Sequence, residues 1–103
     1  MAITREHAIK KSLLAQLEAK GASQPHFIDL TMDYMRLWKV KELLVADILE
    51  RGVSYDDFSS TGTRMMKNNP SVKELQATNR QMLSILRELG LTTDKVDDPN
   101  VDI

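Results

Sequence analysis

The sequence predicts an all-α fold: a long antiparallel helical hairpin with a short docked N-terminal helix, assembling into a homo-oligomer. Three observations lead there. Apolar residues recur at three- and four-residue spacing through most of the chain. The 4 glycines and 3 prolines fall between those periodic segments, where they stop and start helices. The apolar arc of the longest segment is also wider than the chain's own partners need.

That segment runs from Phe27 to Gly52. Phe27, Leu30, Tyr34, Leu37 and Trp38, then Leu44, Val45, Ile48 and Leu49, step at helical spacing. At ~1.5 Å per residue this is a rod of about 40 Å. Ile28, Met35 and Ala46 widen its arc beyond the stripe of roughly 100° that one neighbour fills. Such a helix wants more neighbours than a chain of 103 residues supplies, which is the ground for expecting self-assembly.

Composition narrows the class. The net charge of −1 leaves no global field for nucleic acid, membrane or acidic substrate. Without cysteine there are no disulfides or thiolate metal sites, in keeping with a reducing compartment. No uncharged apolar run approaches the ~18 residues of a membrane span, and MAITREHAIKKS lacks the layout of a secretory signal. The expectation is a soluble intracellular protein with no membrane association. Its ends differ in charge: residues 1–25 balance at +2 and residues 91–103 at −3. Either they serve different partners or both are solvated termini.

In chain order, the first helix starts after Thr4, a plausible N-cap, and runs to Lys20 with Gly21 as its stop. Ile9, Leu13 and Leu17, flanked by Ala8 and Leu14, form its apolar face. A helix-turn-helix would need a second short helix and a support. Here Gly21-Ala22-Ser23-Gln24-Pro25 leads straight into the rod, so no complete DNA-reading motif is present. Ser23 or Gln24 caps the long helix, with Pro25 in its first turn. Asp33–Arg36 and Asp47–Arg51 have the spacing of exposed side-chain pairs, and Gly52 ends the helix.

Residues 53–69 are the irregular part. The cluster Ser59-Ser60-Thr61-Gly62-Thr63 is turn chemistry, and the residues on either side could be extended, so a loose hairpin-like excursion is open to them. A third helix begins near Asn69-Pro70-Ser71 and ends at Leu89, before Gly90. Ser71 and Glu74 have capping-box spacing, while Asn69 with Pro70 is a competing start. Val72, Leu75, Asn79, Met82, Leu86 and Leu89 make a coiled-coil-like seam whose polar member, Asn79, is of the kind that fixes register. Counted from the ends of an antiparallel pair, Lys41 and Asn79 lie within about 3 Å in height and are expected to meet. The division is therefore an N-terminal amphipathic helix and link, 1–24, and a helical-hairpin core, 25–91, with its loop at 53–69. An acidic tail, 92–103, completes the chain.

Catalytic chemistry finds little support. GxxxxGK[ST] is missing, and Ser60-Thr61-Gly62-Thr63-Arg64 is a generic loop. His7 and His26 belong to different segments and to no nucleophilic constellation. His26, Asp29 and Asp33 share a helix face and could hold a metal, but acids at a helix start ordinarily complement the dipole. The expectation is a non-enzyme with no cofactor and no metal.

Two blocks resemble one branch of the phage terminase small subunits. The first is Leu37-Trp38, Lys41-Glu42-Leu43-Leu44, Asp47-Ile48 and Glu50-Arg51-Gly52-Val53. The second is Lys67-Asn68-Asn69-Pro70-Ser71-Val72-Lys73-Glu74-Leu75, then Asn79-Arg80-Gln81-Met82-Leu83, Leu86 and Leu89-Gly90-Leu91. The likeness covers residues 27–91 and lies in the order and spacing of both blocks. It implies a ring-forming, non-catalytic protein in the cytoplasm of an infected bacterial host. Such a protein recognises viral double-stranded DNA and recruits or regulates the large terminase subunit, which carries the ATPase and nuclease. The N-terminus departs from the family, with one short helix where members have a DNA-binding part.

On the residues, Arg5, Lys10, Lys11, Lys20, Arg64 and Lys67 are the candidate DNA contacts. Repetition around a ring would offset the weakness of so few charges per subunit. The candidate subunit contacts are Phe27, Tyr34, Trp38, Lys41, Leu44, Asn79, Met82 and Leu86. The tail from Asp94 is the candidate contact for the large subunit. The alternative reading is a helical adaptor or scaffold that touches only protein.

Overall fold

The computed structural model describes residues 4–91. Three helices and one strand pair follow in the order α1 (Arg5–Ala19), α2 (Pro25–Arg51), β1 (Ser54–Phe58), β2 (Arg64–Asn68) and α3 (Pro70–Glu88).

The helix ends form as their residues dictate. Thr4 Oγ1 accepts from the His7 amide at the start of α1. Pro25 opens α2 behind Gln24, which caps with backbone alone. α1 and α3 both terminate in a Schellman arrangement about a left-handed glycine. Ala22 N–H reaches Leu17 O across Gly21, and Leu91 N–H reaches Leu86 O across Gly90, each at 2.8 Å. The residue delivered beyond each glycine then packs inward. Leu91 joins Leu13, Leu17, Met35 and Leu89 in the buried cluster, and Ala22 packs against it.

α2 and α3 run antiparallel. The core lies at the end where α1, the first half of α2 and the last turn of α3 converge. There Ile9, Phe27, Leu30, Tyr34, Trp38, Ile85 and Leu86 surround the buried cluster. Burial raises the Tyr34 phenol above its ordinary pKa. α1 is clamped at both ends. Arg5 lies 5.8 Å from the centre of the Trp38 ring and 3.8 Å from Glu42, and Lys39 pairs with Glu6 at 3.3 Å. At the other end Lys20 Nζ donates to Gly90 O at 2.6 Å.

The expectation of a purely helical chain is corrected at residues 53–69. β1 and β2 pair antiparallel from Ser54↔Asn68 to Phe58↔Arg64. The turn closes with Ser59 N–H to Thr63 O at 2.8 Å and needs Gly62 at φ 82°. Two cross-strand ion pairs, Lys67–Asp57 at 3.1 Å and Arg64–Asp56, offset strands that carry adjacent acids. Phe58 N–H also donates to Asp57 and, with Lys67, holds that carboxyl below its usual pKa.

A lone hairpin is marginal in water. This one is rooted in a polar clasp. Asn69, 2% exposed, donates to Gly52 O and Asp47 Oδ2 and accepts from Ser71 N–H and Arg51 Nη2, at 2.9 to 3.1 Å. Arg51 grips Asp47 through two bonds of 2.8 Å and lies 5.0 Å from the Tyr55 ring centre. Asp47–Arg51 is therefore not simply an exposed helix pair but the centre of the joint between α2, the hairpin and α3. Asn69, with Pro70 behind it, is the cap of α3. Ser71 spends its hydroxyl on Asp47 rather than on a capping box.

Candidate functional site

The six cationic candidates meet different fates. Arg5 is engaged by Glu42 and Trp38, Lys20 by the carbonyls at the end of α3, Arg64 by Asp56, and Lys67 by Asp57. Lys11 is exposed on α1, while Lys10 is half-buried on the flank of its packed face. With His7, Leu14, Ala15 and Glu18 they line a shallow groove of about 470 Å³. Among the described residues neither lysine has an acidic partner in an ion pair. The candidates are thus scattered over four regions: the α1–α2 seam, the groove on α1, the α1–α3 junction and the hairpin. The structure does not bring them into one patch.

The proposed subunit contacts are largely occupied within the chain. Met82 is 4% exposed, and Phe27, Tyr34, Trp38 and Leu86 pack on the core cluster. Leu44, Lys41 and Asn79 are half-buried. Asp47 opposite Ser71 sets the register of α2 on α3, which puts Lys41 level with Ala77 and Asn79 about 3 Å further on. No hydrogen bond joins Lys41 to Asn79 among the described residues. The apolar surface left uncovered is elsewhere: Val40, Leu43 and Leu49 on α2, Leu83 on α3, and Val53, Phe58, Met65 and Met66 on the hairpin.

His26, Asp29 and Asp33 do not gather, and the described residues hold no cluster of three or more His, Asp or Glu side chains able to bind a metal. Among the described residues no helix is long and apolar enough to cross a membrane. What the chain presents is surface: a basic groove on α1, an apolar far end, and a rooted hairpin.

A family model of the phage terminase small subunit matches residues 8–97. The chain belongs to that family. The match spans α2, both strands and α3 in full, so the likeness read from the two sequence blocks holds and extends to most of the first helix. No curated protein and no solved structure matches the chain. Membership assigns this small subunit to viral genome packaging, in a family that is generally non-catalytic and works with DNA and a large terminase subunit.

Sequence reasoning omitted two groups of residues in this small subunit. Asn69 was legible only as a start of α3, and neither its clasp role nor Tyr55 carries a spacing signal, because their partners lie in a different element. Lys73, Arg80 and Arg87 do carry one: a constant interval of seven residues places them on one face of α3.

Proposed function

We propose that this chain is the non-catalytic, DNA-recognising subunit of a viral packaging terminase, acting as a homo-oligomer that recruits or regulates the large subunit. The observation that carries the reading is the family match over residues 8–97. Supporting it is the division of the surface. Lys10 and Lys11 line an open groove on α1, while Leu43 and Leu49, 72% and 81% exposed, leave the far end of α2 uncovered. Exposed apolar side chains of this size on one helix suit burial by a second copy. The acidic stretch 92–103, which lies outside the described residues, supplies charge suited to the large subunit.

The adaptor reading draws on one specific observation: four of the six cationic candidates are engaged inside the chain. Two measurements separate the readings. Native mass spectrometry of the full chain is expected to give a single closed oligomer. A duplex-DNA shift assay is expected to give binding whose logarithm falls linearly with the logarithm of salt concentration. An oligomer that binds no duplex at low salt would favour the adaptor.

A further inference from the structure

α2 and α3 expose different side chains to solvent. On α2, exposed Val40, Leu43 and Leu49 are interspersed with the exposed charges Arg36, Lys39, Glu50 and Arg51. The back of α3 is cationic. Ser71, Thr78, Met82 and Leu89 mark its buried side. On a 100°-per-residue wheel, Lys73, Arg80 and Arg87 fall about 180° from that side. All three are exposed, and among the described residues none is in an ion pair. Glu74 and Glu88 are their immediate chain neighbours, and adjacent residues on a helix do not face each other. The three cations form a row about 21 Å long at intervals of about 10.5 Å.

The row is bordered by uncharged hydrogen-bonding side chains, Gln76 on one flank and Ser84 on the other, both exposed. A protein-binding patch needs a desolvated apolar or aromatic centre. Leu83 is the one large apolar side chain exposed on α3, and it stands at the edge of the row. Evenly spaced cations with polar flanks instead match a ligand whose charge repeats along a line. A duplex carries one phosphate per ~1.7 Å of axis, so the row spans about a dozen of them. Such contacts hold the backbone without reading bases.

We infer that the outward face of α3 is a contact surface for the phosphate backbone of duplex DNA, with Lys73, Arg80 and Arg87 as its cations. This rests on the DNA-recognition reading above and locates a binding surface on a helix that contains none of its six candidate cations.

The test is fluorescence anisotropy of a labelled mixed-sequence duplex across a salt series, using the full chain. Wild type is compared with Lys73→Gln/Arg80→Gln/Arg87→Gln, with Lys10→Gln/Lys11→Gln, and with Lys73→Arg/Arg80→Lys/Arg87→Lys. The triple glutamine variant is expected to bind at least tenfold more weakly near 0.1 M salt, as an order of magnitude, and to lose about 0.9 from its salt slope for each phosphate contact removed. The charge-retaining triple should keep the wild-type slope. A glutamine triple with wild-type affinity and slope, in a protein that does bind duplex, overturns the inference and leaves DNA recognition standing. Loss of slope in the charge-retaining triple also overturns it, because the effect would not be charge. Wild type that binds no duplex at low salt overturns the recognition reading and this surface with it. If circular dichroism shows the glutamine triple unfolded, Arg80→Gln alone is scored by the same slope.

Discussion

Ser71 Oγ donates to the Asp47 carboxylate at 2.6 Å, joining the first turn of α3 to the last turn of α2. That bond sets the register of the two long helices, and the hairpin between them is folded around it. Asn69 completes the joint with bonds to Gly52 O, Asp47, Arg51 and the Ser71 amide. Asn69→Ala removes the α3 cap and leaves the Gly52 carbonyl without its side-chain donor. The expected loss of stability is about 2 kcal/mol by chemical denaturation. A loss below about 0.5 kcal/mol would mean that the hairpin root is held by other contacts.

The same joint predicts an acid response. Hydrogen bonds from Arg51 and then Ser71 hold the Asp47 carboxyl well below the usual carboxylate range. A depressed folded-state pKa contributes stability that is fully present above the unfolded value of about 4 and is lost as pH falls below it. The wild-type melting temperature should therefore drop more steeply below pH ~4 than that of Asp47→Asn. Parallel profiles would remove Asp47 from the account.

Lys20 is expected to act in stability rather than in DNA binding. Its ammonium donates to Gly90 O at 2.6 Å and lies against Leu89 O at 3.5 Å, at the negative end of α3. Lys20→Met should cost about 0.3–1 kcal/mol while leaving the salt slope of DNA binding unchanged. Gly90→Ala should cost more. Its φ is +70°, and an added Cβ would come within 2.5 Å of Lys20 Nζ, expelling the lysine.

Leu43→Ser/Leu49→Ser tests assembly without touching the chain's own core. At 72% and 81% exposure these side chains contribute little to the isolated fold. Their replacement should lower the oligomer mass in native mass spectrometry while changing the helical circular dichroism signal little. Met82→Ala, at 4% exposure, should do the reverse. It is expected to destabilise the subunit by about 2–5 kcal/mol through a cavity between α2 and α3.

Much of the helical framework was legible in the linear order of residues. Thr4, Gly21, Pro25, Gly52, Pro70 and Gly90 mark helix boundaries through local backbone chemistry that needs no distant partner. The hairpin was legible only as turn chemistry with extended flanks. Its strands hold Asp56, Asp57 and Asn68, poor strand formers, and pair because Lys67 and Arg64 answer those acids across the ladder. Arg64 and Lys67 thus look like free phosphate contacts in the sequence and are charge partners in the fold.

The long segment 27–52 marks the division most clearly. Periodicity alone determined that it is a helix with an over-wide apolar arc, since side-chain direction along a helix follows from position. Only the tertiary structure decided which neighbour each part of that arc receives. Trp38 lies under Arg5 of α1, yet Leu49, eleven residues on and on the same face, is 81% exposed because α1 is too short to reach it. Likewise Asp47 and Arg51 are an ordinary helix pair by spacing, and become the joint of the molecule only when Asn69 and Ser71 arrive from 18 to 24 residues away. Helical spacing is a local property, while burial and pairing depend on where the chain returns. The first can be read from residues in order, and the second exists only once α1, the hairpin and α3 have folded back onto α2.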